Sequence, residues 1–221
     1  MKQMIQPFLS KTIVCVCLLF STTIGFAQTT PGFSVHEISD SVFARMQGKT
    51  FPEGCTVKRS DLRYLRVLHY DGNGKVQEGE MVCNKAIAQD LLEIFEELFR
   101  QKYPIERMRL MDDYDADDER SMRDNNTSCF CYRVVSGTQV LSKHAQGLAV
   151  DINPLYNPYV KTRKDGTVAV EPSTGKPYVN RSGSFPYKIT TGDLTYKLFT
   201  QHGFQWGGNW KSVKDYQHFE K

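Results

Sequence analysis

The chain has 221 residues, 40% of them hydrophobic, and a formal net charge of +3, which suits one globular domain with a sizeable core. So small a charge gives no indication of a nucleic-acid-binding protein. The apolar run from Thr12 to Phe20 is shorter than the roughly 20 residues of a membrane-spanning helix, so no membrane span is expected.

The first 27 residues have the features of a cleaved signal peptide. Lys2 and Lys11 flank a segment without acidic residues, and residues 25–27 (Gly-Phe-Ala) offer small side chains to a signal peptidase. Cleavage after Ala27 removes both lysines and lowers the net charge from +3 to +1. We therefore expect an exported protein, periplasmic or secreted. Its remaining cysteines allow disulfides, but their spacing fixes no pairing: Cys55, Cys83, Cys129 and Cys131.

The mature chain is predicted to comprise an N-terminal leader, residues 28–50, and one domain, residues 51–221. Within the leader, Val35 to Met46 has the apolar spacing of a short helix. Asp61 to Tyr70 is predicted to be a strand that runs into a tight turn at residues 71–74, where glycine and asparagine tolerate positive φ angles.

The clearest helix follows this turn. Asn84 is a suitable N-cap, and apolar residues recur at helical spacing from Ile87 to Phe99. The acidic stretch from Asp112 to Asp124 lacks the glycine and closing glutamate of a calcium loop, so a solvated loop is expected. Two further strands are predicted, at Phe130 to Val135 and at Val150 to Asn153.

The segment from Lys161 to Thr191 is rich in Gly, Pro, Ser and Thr and has little periodicity. It is predicted to be a long surface excursion, which on a compact domain often forms one lip of a binding site. Asp193 to His202 is predicted to form a second, shorter helix.

One histidine lies in an unusual local pattern, between Ser142 and Asp151. His144 enters a turn that contains Gly147, and Asp151 follows among apolar strand residues. A carboxylate in apolar surroundings is costly to desolvate unless a positive charge, such as a bound cation, compensates for it. The same aspartate could instead cap a turn or pair with an arginine, and spacing alone leaves both interpretations open.

A second histidine, His218, lies near the C-terminus with Asp215 three residues before it. Catalytic zinc sites use three protein ligands, nitrogen or oxygen, and keep a fourth position for water. His144, Asp151 and His218 would supply such a set. Asp215 would then be placed to act as a general base. The alternative is that Asp215 is a surface charge and His218 an ordinary core histidine.

Together the two segments resemble the VanY-type D-alanyl-D-alanine carboxypeptidases, zinc metallopeptidases whose superfamily also contains the hedgehog signalling domain. The pattern Ser-x-His-x-x-Gly-x-Ala-x-Asp matches residues 142–151 without a gap. The closing pattern matches Gly-Phe-x-Trp-Gly-Gly at residues 203–208, followed by Asp215 and His218.

The resemblance extends upstream through residues 126–133, so that it spans residues 80–221 with its motif core at residues 126–221. It implies an α+β fold in a single domain, in which an antiparallel sheet carries the metal on one face and helices flank it.

The resemblance also implies a role for each motif residue. His144, Asp151 and His218 would be zinc ligands. Asp215 would activate water and later protonate the leaving amine. Arg133 would polarise the scissile carbonyl and stabilise the oxyanion.

Substrate contacts are predicted for Ser142, Trp206 and Trp210, although the two tryptophans more readily form a floor beneath the metal. A carboxypeptidase also needs a cation that reads the free carboxylate of its substrate. The sequence leaves four candidates for this cation: Lys143, Arg163, Lys164 and Arg181.

The implied activity is hydrolysis of an amide bond in peptidoglycan stem peptides, with removal of a terminal D-alanine as the first expectation. Many family members have glutamate where this chain has Asp215, whereas aspartate is common in the endopeptidase branch that cuts bonds such as L-alanyl-D-glutamate. A non-catalytic, zinc-containing wall-binding module is the third alternative. Such a module need not keep Asp215 and Arg133, so their presence favours an enzyme. The sequence makes no prediction of oligomeric state.

Overall fold

A computed structural model describes residues 1, 30–135 and 137–221, so the predicted signal peptide, residues 1–27, falls outside the described residues except for Met1. The α-helices of the described part are α1 (Asp40–Met46), α2 (Ala88–Arg100), α3 (Asp118–Arg123) and α4 (Leu194–Gln201). The strands are β1 (Ser34–Glu37), β2 (Leu62–Tyr70), β3 (Val76–Asn84), β4 (Ala149–Asp151), β5 (Tyr159–Thr162), β6 (Val168–Glu171), β7 (Gln205–Trp206), β8 (Lys214–Asp215) and β9 (His218–Glu220). Among the described helices, none combines the length and the apolar character needed to cross a membrane.

The strands form three antiparallel sheets of three strands each, in the orders β1-β2-β3, β4-β9-β7 and β6-β5-β8. Helix α2 packs on the first sheet and also contacts α4, which packs against β7 of the second. The predicted α+β single domain with antiparallel sheet and flanking helices is confirmed.

The hairpin of β2 and β3 confirms the predicted strand and turn. Tyr70 pairs with Val76, and the turn between them is held by Asp71, whose Oδ1 accepts hydrogen bonds from the amides of Asn73 and Lys75 at 2.9 and 3.0 Å. Gly74 has a φ of +73°, the left-handed conformation that glycine adopts without strain.

Helix α2 supplies the centre of the core, as its apolar periodicity predicts. Leu91, Ile94, Phe95 and Leu98 are buried on its inner face. The predicted N-cap is wrong, because Asn84 pairs with Leu62 as the last residue of β3 and the helix begins only at Ala88. The four cysteines of the described part are free thiols.

The segment predicted as a leader, residues 28–50, contributes two elements to the folded body. The single helix predicted from Val35 to Met46 is wrong in its first half, because β1 pairs with β2 there and the helix begins only after Ser39, whose hydroxyl caps it. Arg45 of α1 donates to both carboxylate oxygens of Glu80 on β3. The folded part of the chain therefore begins before residue 51.

The acidic stretch from Asp112 to Asp124 is not a solvated loop as predicted. It contains a 3-10 turn and α3, which is capped by the side chain of Asp117. Asp112 is buried and accepts a 2.6 Å hydrogen bond from the Thr50 hydroxyl, which explains why a charged residue can lie inside. The strand predicted at Phe130 to Val135 is also wrong, since only isolated bridging contacts form there.

The excursion from Lys161 to Thr191 has more regular structure than predicted. It contains most of the β5–β6 hairpin and a 3-10 turn at Ser173–Tyr178. The strand predicted at Val150 to Asn153 is present as β4, displaced by one or two residues. Helix α4 forms as predicted, with Asp193 as its N-cap.

Candidate metal centre

The pairing of β4 with β9 brings Asp151 and His218 together. The two residues are direct partners in this antiparallel pair, and partners in such a pair project their side chains from the same face. Phe219 is next to His218 and therefore projects from the opposite face, where its ring stacks 4.4 Å from Phe199 in the core. The apolar core thus lies on one side of this small sheet and the polar site on the other.

His144 reaches the same face from a 3-10 turn, His144–Gln146. The turn ends at Gly147, which has a φ of +68° and lies so close to β3 that an added Cβ would be 2.7 Å from the amide nitrogen of Asn84. The Ser142 hydroxyl accepts a 3.1 Å hydrogen bond from the His144 amide and fixes the start of the turn. The glycine of the motif is needed for both its backbone conformation and its close approach.

Two imidazole nitrogens and one carboxylate converge at one point. His144 Nε2 lies 3.1 Å from His218 Nδ1 and 3.3 Å from Asp151 Oδ2, and His218 Nδ1 lies 3.1 Å from Asp151 Oδ1. All three residues are buried. Tetrahedral zinc with ligands at about 2.0–2.1 Å separates those ligands by about 3.3 Å, so the observed spacing suits such an ion.

The outer nitrogens of both rings are engaged with acceptors. His144 Nδ1 lies 2.7 Å from the carbonyl oxygen of Cys129, and His218 Nε2 lies 3.2 Å from Glu220 Oε2. With a metal ion bound, each ring would be neutral, would donate its single N–H to that acceptor and would turn a lone pair inward. Three electron-pair donors then face one another, an arrangement that a cation relieves. The donor set therefore fits a divalent metal ion.

The charge state of Asp151 agrees with a cation site. Burial alone would raise the pKa of this carboxyl, but the charge of His144 and hydrogen bonds from both histidines outweigh it and hold the pKa well below its ordinary value. Asp151 is therefore ionised at neutral pH although it is buried, and it is ready to bind a positive ion.

Asp215 lies on β8, beside the three converging residues. Burial raises the pKa of its carboxyl to about 7; positive charge on His218 opposes this rise and the charge of Asp151 adds to it. Within the described part of the chain, Asp215 Oδ1 is buried and has no hydrogen-bond partner. An oxygen of this kind is available to bind a water molecule and to accept its proton.

The backbone allows Asp215 to come this close only because residue 207 is glycine. A Cβ added at Gly207 would lie 2.7 Å from the carbonyl oxygen of Asp215, 2.8 Å from its Cβ and 3.3 Å from the Cβ of His218. Gly207, in the closing Gly-Phe-x-Trp-Gly-Gly pattern of the sequence, therefore has a steric function at the site.

Arg133 is oriented by a partner that the sequence did not reveal. Its Nε forms a salt bridge with Asp118 of α3, and the charges of Asp118, Asp151 and Asp215 together raise the pKa of the arginine against the effect of its burial. Arg133 therefore belongs to the same charged cluster as the three converging residues. Asp118 lies within the stretch predicted as a solvated loop, where no local pattern separates it from its acidic neighbours.

The three predicted substrate contacts lie in different environments. Ser142 is buried and its hydroxyl is used by the His144 turn, whereas Trp206 is buried among aromatic rings and its Nε1 donates to the carbonyl oxygen of Tyr216 at 2.9 Å. Trp210 is half-buried, and its ring centroid lies 5.3 Å from that of His218. Of the three, Trp210 is placed both beside the site and in reach of solvent.

The sequence also did not reveal Glu220 and the carbonyl of Cys129 as partners of the two converging histidines. Glu220 could have been found, because it lies two residues after His218 and side chains two apart on a strand share a face. The Cys129 carbonyl could not, because it is a backbone group brought to His144 by the fold.

Comparison with protein families agrees with the motifs. Residues 136–221, less than half of the chain, match the family model described as D-alanyl-D-alanine carboxypeptidase. No curated protein and no solved structure matches the chain. The predicted resemblance is confirmed over this C-terminal part, which includes the three converging residues and Asp215. The matched region begins after Arg133 and is shorter than the predicted 80–221.

Proposed function

We propose that this chain, whose C-terminal part matches a peptidase family, is a zinc-dependent peptidase that removes terminal D-alanine from peptidoglycan stem peptides. The observation that carries the proposal is the convergence of His144, Asp151 and His218, each offering an electron pair to one point. The predicted signal peptide adds that the enzyme acts outside the cytoplasm, in the periplasm or as a secreted protein.

The metal would be held by His144 Nε2, His218 Nδ1 and the Asp151 carboxylate. Zinc in such a site polarises a carbonyl group and makes water a better nucleophile near neutral pH. The chain itself contributes rigidity, because the Cys129 carbonyl and Glu220 fix the orientation of the two rings.

Asp215 would act as the general base. Its buried Oδ1 accepts a hydrogen bond from the attacking water, takes up the proton and delivers it to the leaving amine. Arg133, held by Asp118, would donate hydrogen bonds to the carbonyl oxygen of the scissile bond and stabilise its negative charge. Loss of a single donor of this kind lowers rates by about 10²- to 10³-fold.

One observation favours a second candidate. The base is an aspartate, which is common in the endopeptidase branch of the family resembled, so hydrolysis of an L-alanyl-D-glutamate bond is the alternative reaction. Among the predicted carboxylate readers, Arg181 directs its guanidinium to several backbone carbonyls. Lys143, next to His144, is half-buried, and its Nζ donates one solvent-exposed hydrogen bond of 3.3 Å to the carbonyl oxygen of Lys221. Because Lys143 has only this one exposed hydrogen bond to exchange for a substrate, it is the better of the two candidates for reading a terminal carboxylate.

Digestion of defined muropeptides tests the proposal. The purified protein is incubated with a pentapeptide that ends in D-Ala-D-Ala and with a tripeptide that lacks this end, with and without chelator, and the products are identified by mass spectrometry. Release of D-alanine from the pentapeptide alone supports the carboxypeptidase. Cleavage of both between L-alanine and D-glutamate supports the endopeptidase, and no cleavage of either with zinc bound supports the wall-binding module.

Two variants test the assigned roles. Asp215→Ala should retain zinc, measured by elemental analysis, and lose turnover, because the ligands are intact while the base is gone. His144→Ala should lose both, and His36→Ala, which alters an exposed histidine outside the site, serves as the control. Full activity in the Asp215 variant would contradict its assignment as base.

A further inference from the structure

Arg181 is an arginine without an acidic partner among the described residues. Its pKa is lowered to about 10 by burial, and only Tyr216 opposes this shift. The guanidinium still carries its charge at neutral pH. A half-buried charge that forms no salt bridge is unusual, because desolvation is normally offset by a carboxylate. Its contacts therefore need an explanation.

The guanidinium donates in a forked arrangement to the chain that leads into β5. One terminal nitrogen donates to the carbonyl oxygen of Tyr156 at 2.7 Å, and the other to Asn157 Oδ1 and to the carbonyl oxygen of Ile189, both at 2.9 Å. Asn157 is itself buried and accepts from the Ile189 amide. Arg181 thus ties the end of the excursion to the residues immediately before β5.

The same guanidinium lies over the ring of Tyr216, the residue directly after the strand that carries the proposed base. Its central carbon is 4.4 Å from the centroid of the Tyr216 ring, which follows Asp215 directly. Strand β8 pairs with β5 through Tyr159 and Asp215, and the Tyr216 amide donates to the carbonyl oxygen of Pro158 at 3.4 Å. Arg181 therefore contacts both sides of the short two-residue pairing that places Asp215.

We infer that Arg181 is a positioning residue for Asp215, acting through Tyr216 and the segment before β5, and not a reader of the substrate carboxylate. The inference rests on the proposed function for its kinetic part. A strand pair of two residues has few hydrogen bonds of its own, so its position depends on neighbours such as this guanidinium. The cation–π contact and the forked hydrogen bonds supply that restraint.

The test compares Arg181→Gln and Arg181→Lys with Lys176→Gln, which alters an exposed cation of the same excursion that has no predicted role at the site. Hydrogen exchange of peptides that cover residues 214–216 is measured in the metal-free protein, with α2 as internal reference. We expect faster exchange in this segment for both Arg181 variants, unchanged exchange in α2, and wild-type exchange for Lys176→Gln. Lysine should not rescue, because a single ammonium cannot reproduce the fork.

The kinetic arm uses the substrate that the wild type cleaves. Arg181→Gln should lower kcat by about 10- to 100-fold with little change in KM and with zinc content preserved, since a small displacement of the base affects the reaction step. A raised KM with unchanged kcat would overturn the inference in favour of carboxylate reading. Unchanged exchange at residues 214–216 would also overturn it. If the wild type cleaves no substrate, the proposed function fails while the exchange result still decides this inference.

A second pair of variants guards against a folding defect. Tyr216→Leu removes the ring face but leaves the hydrogen bonds of Arg181, whereas Tyr216→Phe keeps the ring. We expect the leucine variant to show the same faster exchange at residues 214–216 and the phenylalanine variant to resemble wild type. Equal exchange in the two variants would contradict a contact through the ring.

Discussion

Replacing Gly207 with alanine should move Asp215, the proposed base, away from the three proposed metal ligands. The added Cβ would lie 2.7 Å from the carbonyl oxygen of Asp215 and 2.8 Å from its Cβ, both of them fixed by the backbone. Since ordinary contacts begin at 3.4 Å, the chain segments must move apart by about 0.7 Å. Misplacement of about 1 Å in an active site lowers rates by about 100-fold, so kcat should fall by one to two orders of magnitude.

The same strain should also lower stability. Overpacking of this kind destabilises by about 1–3 kcal/mol. In a protein of this size each kcal/mol lowers Tm by about 2–4 °C. Thermal denaturation, zinc content and kcat are measured together, so that loss of fold and loss of geometry can be separated.

Gly183→Ala is the matched control, because an added Cβ there meets no described atom within 4 Å and the φ angle is not in the left-handed region. It should have wild-type Tm and kcat. The steric reasoning is refuted if Gly207→Ala also has wild-type values of both, since the close approach of Asp215 would then not constrain residue 207.

Three further predictions concern the metal, the core and an ion pair. Chelation should abolish activity and lower Tm, with zinc restoring both, because a ligand at 100 times its Kd stabilises the fold by about 2.7 kcal/mol; activity that survives full chelation would contradict a metal centre. Phe95→Ala, at a ring 1% exposed, should destabilise the protein by about 3–5 kcal/mol in denaturant titration, and a loss below 1 kcal/mol would contradict its place in the core. Burial favours a raised pKa for Glu80, but hydrogen bonds from Arg45 and Tyr64 hold this pKa below its ordinary value. The ionised Glu80 therefore stabilises the folded protein fully above the unfolded pKa of about 4.3, and this stabilisation is lost as pH falls through the lower folded pKa. Glu80→Gln should remove this acid-dependent part, and identical stability profiles for variant and wild type between pH 3 and 7 would contradict it.

Much of the candidate metal centre could be predicted, because two of the three residues that form it are close together in the sequence. His144, Gly147 and Asp151 lie within one turn and one strand, so the motif that carries the family resemblance can be read from one short stretch, although its spacing alone left a cation site and a structural aspartate open. The central helix was predictable for a similar reason, since its apolar face repeats at every turn. Its start was not, because Asn84 has a capping side chain but is needed by β3.

The remaining parts depend on contacts between distant segments. Val35 has a helical apolar spacing, yet it lies in β1 because the edge of β2 offers backbone hydrogen bonds. Asp118 looks like any other acid in its stretch until α3 brings it to Arg133. Secondary-structure propensity and apolar periodicity depend only on residues that are close in the sequence, and they therefore cannot identify such partners.

Because side chains alternate along β9, the packing of the aromatic core determines the direction in which His218, the proposed metal ligand, points. A slip of one residue between β4 and β9 would turn His218 into the apolar interior and expose Phe219 in its place. Such a slip is unfavourable chiefly because the buried Phe219 ring would lose its stacking partner Phe199. Substitutions deep in the apolar interior, far from any reacting atom, should therefore be able to abolish metal binding.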